Sequence, residues 1–309
     1  MKLLLLILLS LLYSLGFAQI KEVVVTVDDL PVVRYGTKYD TLSLQITQNL
    51  IKTFDEFDIP AIGYVNERKL YRNGKPDQNQ LALIEYWLSN GYELGNHTYS
   101  HMNYHRSSFE DFTTDVLKGE IITKELAKKY DMEVRFFRHP YLRSGLSKAH
   151  SDSLTHFLTN HGYVEAPVTI DNEDYIFAKA YSVAHDKQNA ELMRKIGEAY
   201  VDYMEKKILY FERVSNDLFA RNISQTLLIH ANLLNSEYFD ELAAVYKKHG
   251  YTFVTQEKAL EDEAYRAGIT KFGDWGISIL ERIAISRGMK GDFFKGDPAT
   301  PEFVRELGN

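Results

Sequence analysis

The chain has 309 residues, 36 Lys and Arg against 43 Asp and Glu, a formal net charge of −7 and no cysteine. This balance lacks the basic footprint of a nucleic-acid binder, so no nucleic-acid partner is expected. No disulfide can form, and an apolar core must hold the fold, which a chain of this size can build by burying about three-quarters of its surface.

The chain opens MKLLLLILLSLLYSLGFA. Lys2 is a short basic start, 3–12 is an apolar run, and Gly16 and Ala18 are small residues before a cut at Gln19. That is the pattern of a secretory signal peptide over 1–18. The run is too short for a comfortable membrane span of about 20 residues. No stable membrane insertion is expected after cleavage, and the mature protein is expected to be exported, periplasmic or secreted, from a bacterium.

Short β-branched or aromatic runs then alternate with stretches of helical period. Strands are expected at 22–27, 61–65, 92–95, 135–138, 164–170, 226–230 and 252–254. Helices are expected at 80–89, where Leu81, Ile84, Trp87 and Leu88 make one face and Asn90-Gly91 stops it. Others are expected at 109–130, at 189–219 with an internal break, and at 238–248. Seven strand-then-helix units imply a parallel sheet with helical crossovers, close to the eight of a closed barrel, and so a distorted (β/α) barrel in one domain over 19–262. After 262 the rhythm breaks. FGDWGISILERIAISRG is apolar enough to pack on the barrel, and KGDPATPEFVRELGN reads as a loose tail, so 263–309 is an extension.

The reactive residues fall at the strand ends. Asp28 and Asp29 follow the first strand, although alone they could start a turn. His97 and His101 follow the third; spaced four apart, they would face one way on a helical turn. An H-x3-H pair by itself is a weak metal signal. His105 continues the series between Tyr104 and Arg106, flanks that read as solvent surface. Arg138, Pro140 and Tyr141 follow the fourth strand, Asp171 and Asp174 the fifth. His230 closes the sixth, where a lone histidine would ordinarily be a satisfied core residue. In a parallel α/β fold these ends converge on one rim, where active sites form. One rim gathering all of them overturns the separate structural readings.

Taken together the blocks are TVDD at 26–29, HTYSH at 97–101, RHPY at 138–141, DNEDY at 171–175 and LIH at 228–230. In order and spacing the chain resembles the polysaccharide deacetylase family (NodB homology domain, carbohydrate esterase family 4) over about 20–260. It departs from the pattern at Val27, in place of the usual aromatic, and at Leu142, where many members carry glycine. The segment 184–222 looks longer than a minimal connection.

The resemblance implies a (β/α)7 barrel, an acetylated carbohydrate substrate and one divalent metal ion, zinc first, with cobalt or nickel as alternatives. By position-matching, Asp29, His97 and His101 are the metal ligands and His105 is a bystander. Asp28 is the general base, reaching water while Asp29 binds metal because adjacent side chains in a strand diverge. Arg138 keeps Asp28 ionised and lowers its pKa. The backbone N–H of Tyr141 completes an oxyanion site, and His230 is the general acid. A carboxylate, Asp171 or Asp174, holds His230 protonated; the sequence does not choose between them. Tyr141, Tyr175, Tyr99 and Trp275 are candidates for sugar stacking. The implied activity is hydrolysis of linear amides, removing acetyl groups from N-acetylated sugars of a chitin- or peptidoglycan-like glycan. An O-acetyl, xylan-type esterase and an inactive carbohydrate-binding barrel are the alternatives.

Overall fold

The computed structural model describes residues 21–36 and 41–308, and the expected signal segment lies outside them. The central strand is β1, Lys21–Leu30, whose Val-rich run is buried on both faces, as parallel strands are. It is followed by β2 (Ile62–Val65), a hairpin of β3 (Tyr71–Arg72) and β4 (Lys75–Pro76), β5 (Glu93–Asn96), β6 (Phe136–Phe137), β7 (Val164–Glu165), β8 (Gln225–His230) and β9 (Tyr251–Phe253). The large sheet runs β7-β6-β5-β2-β1-β8, with β9 on β1, and every pairing in it is parallel. Beyond β7 the chain bends back to β8: Ile170 bridges Leu227 in parallel, and the amides of Thr169 and Ile170 donate to the Thr226 carbonyl. The sheet therefore curls into the expected distorted barrel.

Strand alternation separates two cores. Val23, Val25 and Val27 face the helices in the main cluster, while Val24 packs inward with Ile62, Tyr64, Phe136 and Ala166. The same alternation points Thr26 and Asp28 into the barrel. A short helix over Gln256–Leu260 buries Ala259 against this inner cluster, and Gln256 accepts a hydrogen bond from the Tyr64 hydroxyl.

Helices cover the outside: α1 (Ser43–Glu56), α2 (Gln78–Ser89), α3 (Phe109–Lys118), α4 (Ile121–Lys128), α5 (Lys148–Asn160), α6 (Asp174–Asp186), α7 (Ala190–Phe219) and α8 (Leu233–Lys248). The helix expected over 109–130 is two, because Gly119 presses on the loop after β5: a Cβ there would lie 2.4 Å from the Thr98 carbonyl carbon. The break expected inside 189–219 is absent. Ile196, Tyr200, Met204, Ile208, Phe211, Val214 and Leu218 keep one unbroken buried stripe through the 30 residues of α7. The C-terminal stretch is not a loose tail. Val304 is buried, Gly308 packs on the Ile176 carbonyl of α6, and Thr300 and Arg305 both bond Glu173 at 2.6 and 2.8 Å. Among the described residues no helix is long and apolar enough to cross a membrane.

One cap links the barrel to its helices. α4 has no side-chain cap of its own. Buried Glu67 supplies it, accepting from the amides of Ile122 and Thr123 at 2.9 and 3.0 Å and from the Thr123 hydroxyl at 2.8 Å. Truncating it leaves buried donors without partners, so Glu67→Ala is expected to lower the unfolding free energy by about 2–3 kcal/mol in urea titration.

Candidate active site

The site begins where β1 stops being regular. Asp28 pairs in register with His230 on β8. The β1–β2 register then shifts between Val27 and Leu30, and Asp29 takes a left-handed φ of 65°. The two carboxylates consequently do not diverge as a regular strand would require. Asp28 Oδ2 lies 4.0 Å and Asp29 Oδ1 3.7 Å from the same atom, Nε2 of His97. One cavity of 840 Å³ is lined by Asp28, Asp29, His97, His101, Tyr141 and His230. Sequence positions more than 200 apart thus share one wall.

His97 and His101 sit on a loop instead of the expected helical turn, with Thr98 and His101 at φ 63° and 55°. The loop is held by side chains: Asn96 Oδ1 accepts from the Thr98 amide at 2.7 Å, and Asp115 accepts from Ser100 at two atoms. His97 Nδ1 sits 2.8 Å from the Arg138 carbonyl, which can only accept. That bond puts the proton on Nδ1 and leaves the Nε2 lone pair facing Asp29. His101 Nε2 lies 3.7 Å from the same Asp29 oxygen. Burial drives both imidazoles down to about 4, so they are neutral at physiological pH. Burial pushes the Asp29 carboxyl the other way, but Lys69 first and then the two histidines outweigh it and hold it well below the usual carboxylate range.

Among the described residues, Asp29, His97 and His101 form a cluster with ligand atoms all within 4.8 Å of one another. Asp29 Oδ1 is buried without a hydrogen-bond partner. Two neutral imidazoles and an ionised, orphaned carboxylate oxygen fit a divalent ion such as zinc and leave coordination positions open. His105 is not in the cluster. Nor is it a surface residue, since its flank Tyr104 is buried and its own Nε2 accepts from the Gly145 amide at 3.0 Å.

Arg138 is 1% exposed, with Nη1 3.9 Å from Asp28. The expectation that it lowers the Asp28 pKa does not hold on balance: burial dominates and raises that carboxyl, with Arg138 opposing. On the neighbouring strand, His230 Nδ1 is 2.8 Å from Asp174 Oδ1, and its amide donates to the other Asp174 oxygen at 2.9 Å. Burial disfavours the charged ring, yet Asp174, with Asp29 and Asp28 behind it, pushes His230 up to about 9. Asp174 is therefore the carboxylate that orients His230. Asp171 is not; it accepts from the Asn172 amide, and burial raises it to about 7.

Tyr141 follows at φ 58° and Leu142 at 54°, which explains why glycine suits the Leu142 position. The Tyr141 ring stacks edge-on 4.4 Å from His101 and is 54% exposed. Tyr175 also lines the cavity; Tyr99 and Trp275 do not. Three participants escaped the sequence reading: Lys69, which donates to the Asp29 carbonyl at 2.7 Å, Asn235, which bonds Asp174 at 2.9 Å, and Tyr35 on the cavity wall. No motif marks them. Only the Lys69 ammonium, arriving from a short helical turn after β2, could have been suspected as a cation near paired aspartates.

The His230–Asp174 pair carries a pH signature. The folded state holds this proton more tightly than the unfolded chain, so the stabilisation is complete below the unfolded pKa of about 6.5 and is lost as pH rises towards 9. In metal-free protein, unfolding free energy is expected to fall over that window. Asp174→Asn should flatten the fall and lower the His230 pKa by at least about one unit in an NMR titration of its ring protons.

Residues 18–165 match the family described as Polysaccharide deacetylase. Among solved structures, the chitin deacetylase of the fungal pathogen Colletotrichum lindemuthianum superposes with a TM-score of 0.52 at 21% identity, over 78% of this chain and 88% of that one. The Bc1960 peptidoglycan N-acetylglucosamine deacetylase gives 0.51 at 15% identity, over 82% and 91%. A mutant of BA3943, a carbohydrate esterase family 4 pseudoenzyme, gives 0.50 at 16%, over 78% and 68%. No curated protein matches the chain. These likenesses carry the fold, and they include a pseudoenzyme, so the fold alone does not carry activity. Residues 18–165 are thus similar to the polysaccharide deacetylase family, and the solved structures share the fold of the chain.

Proposed function

We propose that the chain is a metal-dependent deacetylase that removes acetyl groups from N-acetylated sugars of a chitin- or peptidoglycan-like glycan. The observation that carries the reading is a buried carboxylate, Asp28, and a carboxylate-backed histidine, His230, lining the same cavity as the three-residue cluster of Asp29, His97 and His101. Asp29, His97 and His101 would hold one divalent ion, zinc before cobalt or nickel. When bound, that ion supplies Lewis acidity to the acetyl carbonyl and to water.

The chain's own groups then divide the proton work. Asp28 takes a proton from the attacking water; burial raises its basicity and Arg138 prevents it from being trapped as the acid. The amide of Tyr141 donates to the oxygen that gains charge as the carbonyl becomes tetrahedral. His230, held protonated by Asp174, gives its proton to the nitrogen as the C–N bond breaks. Acetate and a free amine leave, and His230 and Asp28 return to their starting states by proton exchange with solvent. Tyr141 and Tyr175 offer ring faces to the sugar.

The supported acid favours an amide over an ester. An amine must be protonated to depart, whereas an alkoxide leaves with less help, so a histidine acid backed by Asp174 at 2.8 Å suits N-deacetylation. Acetate release from chitin oligomers or peptidoglycan, compared with acetylxylan, tests this; release from acetylxylan alone would make the protein an O-acetyl esterase. The leader over 1–18, a barrel to 262, an extension beyond it and export are part of the same proposal.

Two variants separate the roles. His97→Ala should bind no stoichiometric zinc by elemental analysis and lose activity. Asp28→Asn should keep its zinc and lose about 10²–10⁴ in turnover; normal turnover would remove Asp28 as the base.

A further inference from the structure

The loop after β6 carries the backbone donor that the proposed reaction needs, and it does not support itself. Tyr141 and Leu142 are consecutive non-glycine residues in left-handed conformations, which persist only where the surroundings over-determine them. Two local bonds, Leu142 N–H to His139 O at 3.1 Å and Arg143 N–H to Pro140 O at 3.2 Å, bracket the turn. The other restraints come from far along the chain, from the segment that breaks the barrel rhythm. Gly276 abuts the loop so closely that a Cβ would lie 1.8 Å from the Tyr141 carbonyl oxygen. Arg282 donates to the Ser144 hydroxyl.

Between these contacts stands Asp274. Its carboxylate bonds Arg106, lies 3.6 Å from the Arg143 guanidinium, and lies 3.4 Å from Nδ1 of His105. The second nitrogen of His105 accepts the Gly145 amide. An isolated exposed ion pair would contribute little. Here one carboxylate hydrogen-bonds Arg106, faces a cation on the loop itself, and stands 3.4 Å from the otherwise unpartnered Nδ1 of a ring 1% exposed that grips the far end of the loop.

We infer that Asp274 is a positioning residue for deacetylation: by gathering Arg106, Arg143 and His105 it pins residues 141–145, and so holds the Tyr141 peptide at the rim beside His101. The C-terminal extension is then part of the active site. This rests on the reading of the Tyr141 amide as oxyanion donor.

The test compares wild type, Asp274→Ala and Asp274→Glu in the full-length, metal-loaded protein. Asp274→Ala should raise hydrogen–deuterium exchange at 142–145 at least about tenfold, with β1 and β5 unchanged, and lower kcat about 10–100-fold, part of the 10²–10³ that losing an oxyanion donor costs. KM should stay within about twofold, zinc content and melting temperature should hold, and Asp274→Glu should recover most of the rate. Unchanged exchange in the loop overturns the inference whatever the activity. So does a loosened loop with unchanged kcat, or a loss of kcat that tracks lost zinc or lost melting temperature. If wild type releases acetate from no glycan, the proposed function falls, and the exchange arm alone still decides whether Asp274 pins the loop.

Discussion

Everything in the cavity hangs on Arg138, whose side chain and main chain serve opposite halves of the site. The guanidinium lies inside the barrel, 4.7 Å over the Tyr64 ring, donating to the Thr26 hydroxyl at 3.0 Å and facing Asp28. Its own carbonyl accepts a hydrogen bond from His97 Nδ1 at 2.8 Å, and its amide donates to the Asn96 carbonyl at 3.0 Å. Burying a cation is costly unless it is paired, and removing one partner of such a pair costs about 3–5 kcal/mol. Asp28 and Arg138 therefore stabilise each other where neither would be tolerated alone. The same residue sets the tautomer that turns His97 Nε2 towards Asp29.

The barrel supplies rigidity, and the loops at its mouth hold strain. Asp29, Thr98, His101, Tyr141 and Leu142 are non-glycine residues with positive φ, all around one opening. Asp29 lies at the register shift near the end of β1, and the others follow the ends of β5 and β6, where the parallel ladder no longer dictates backbone geometry. Such conformations are enriched at functional sites and persist where the surroundings over-determine them. Cross-chain contacts sustain them here: Asp115 from α3 on the 97–101 loop, and the 274–282 segment on the 141–145 loop.

Much of this was legible in the residues. The β-branched runs and their alternation give the curled parallel sheet, and the strand-end rule gathers Asp28, Asp29, His97, His101, Arg138, Asp174 and His230 at one opening. Local irregularity was not legible. Strand reasoning sends Asp28 and Asp29 to opposite faces, and only the bulge and left-handed φ of Asp29 bring them together. Pair electrostatics suggested that Arg138 lowers the Asp28 pKa, but depth of burial, which no single sequence displays, outweighs it. The choice of Asp174 over Asp171 needed the start of α6, where Asp174 meets β8. His105 read as surface because its flanks are polar, and the ordered C-terminal helix read as a tail because Gly, Pro and Asp surround it.

The most direct test of the central claim is a crystal structure of the protein grown with zinc, with anomalous scattering recorded at the zinc edge. The account predicts a single strong peak about 2.0–2.2 Å from an Asp29 oxygen and from Nε2 of His97 and His101. Asp28 should be outside the coordination sphere, with its carboxylate turned to Arg138. A peak ligated by Asp28 in place of Asp29, or no peak in this cavity, would contradict it.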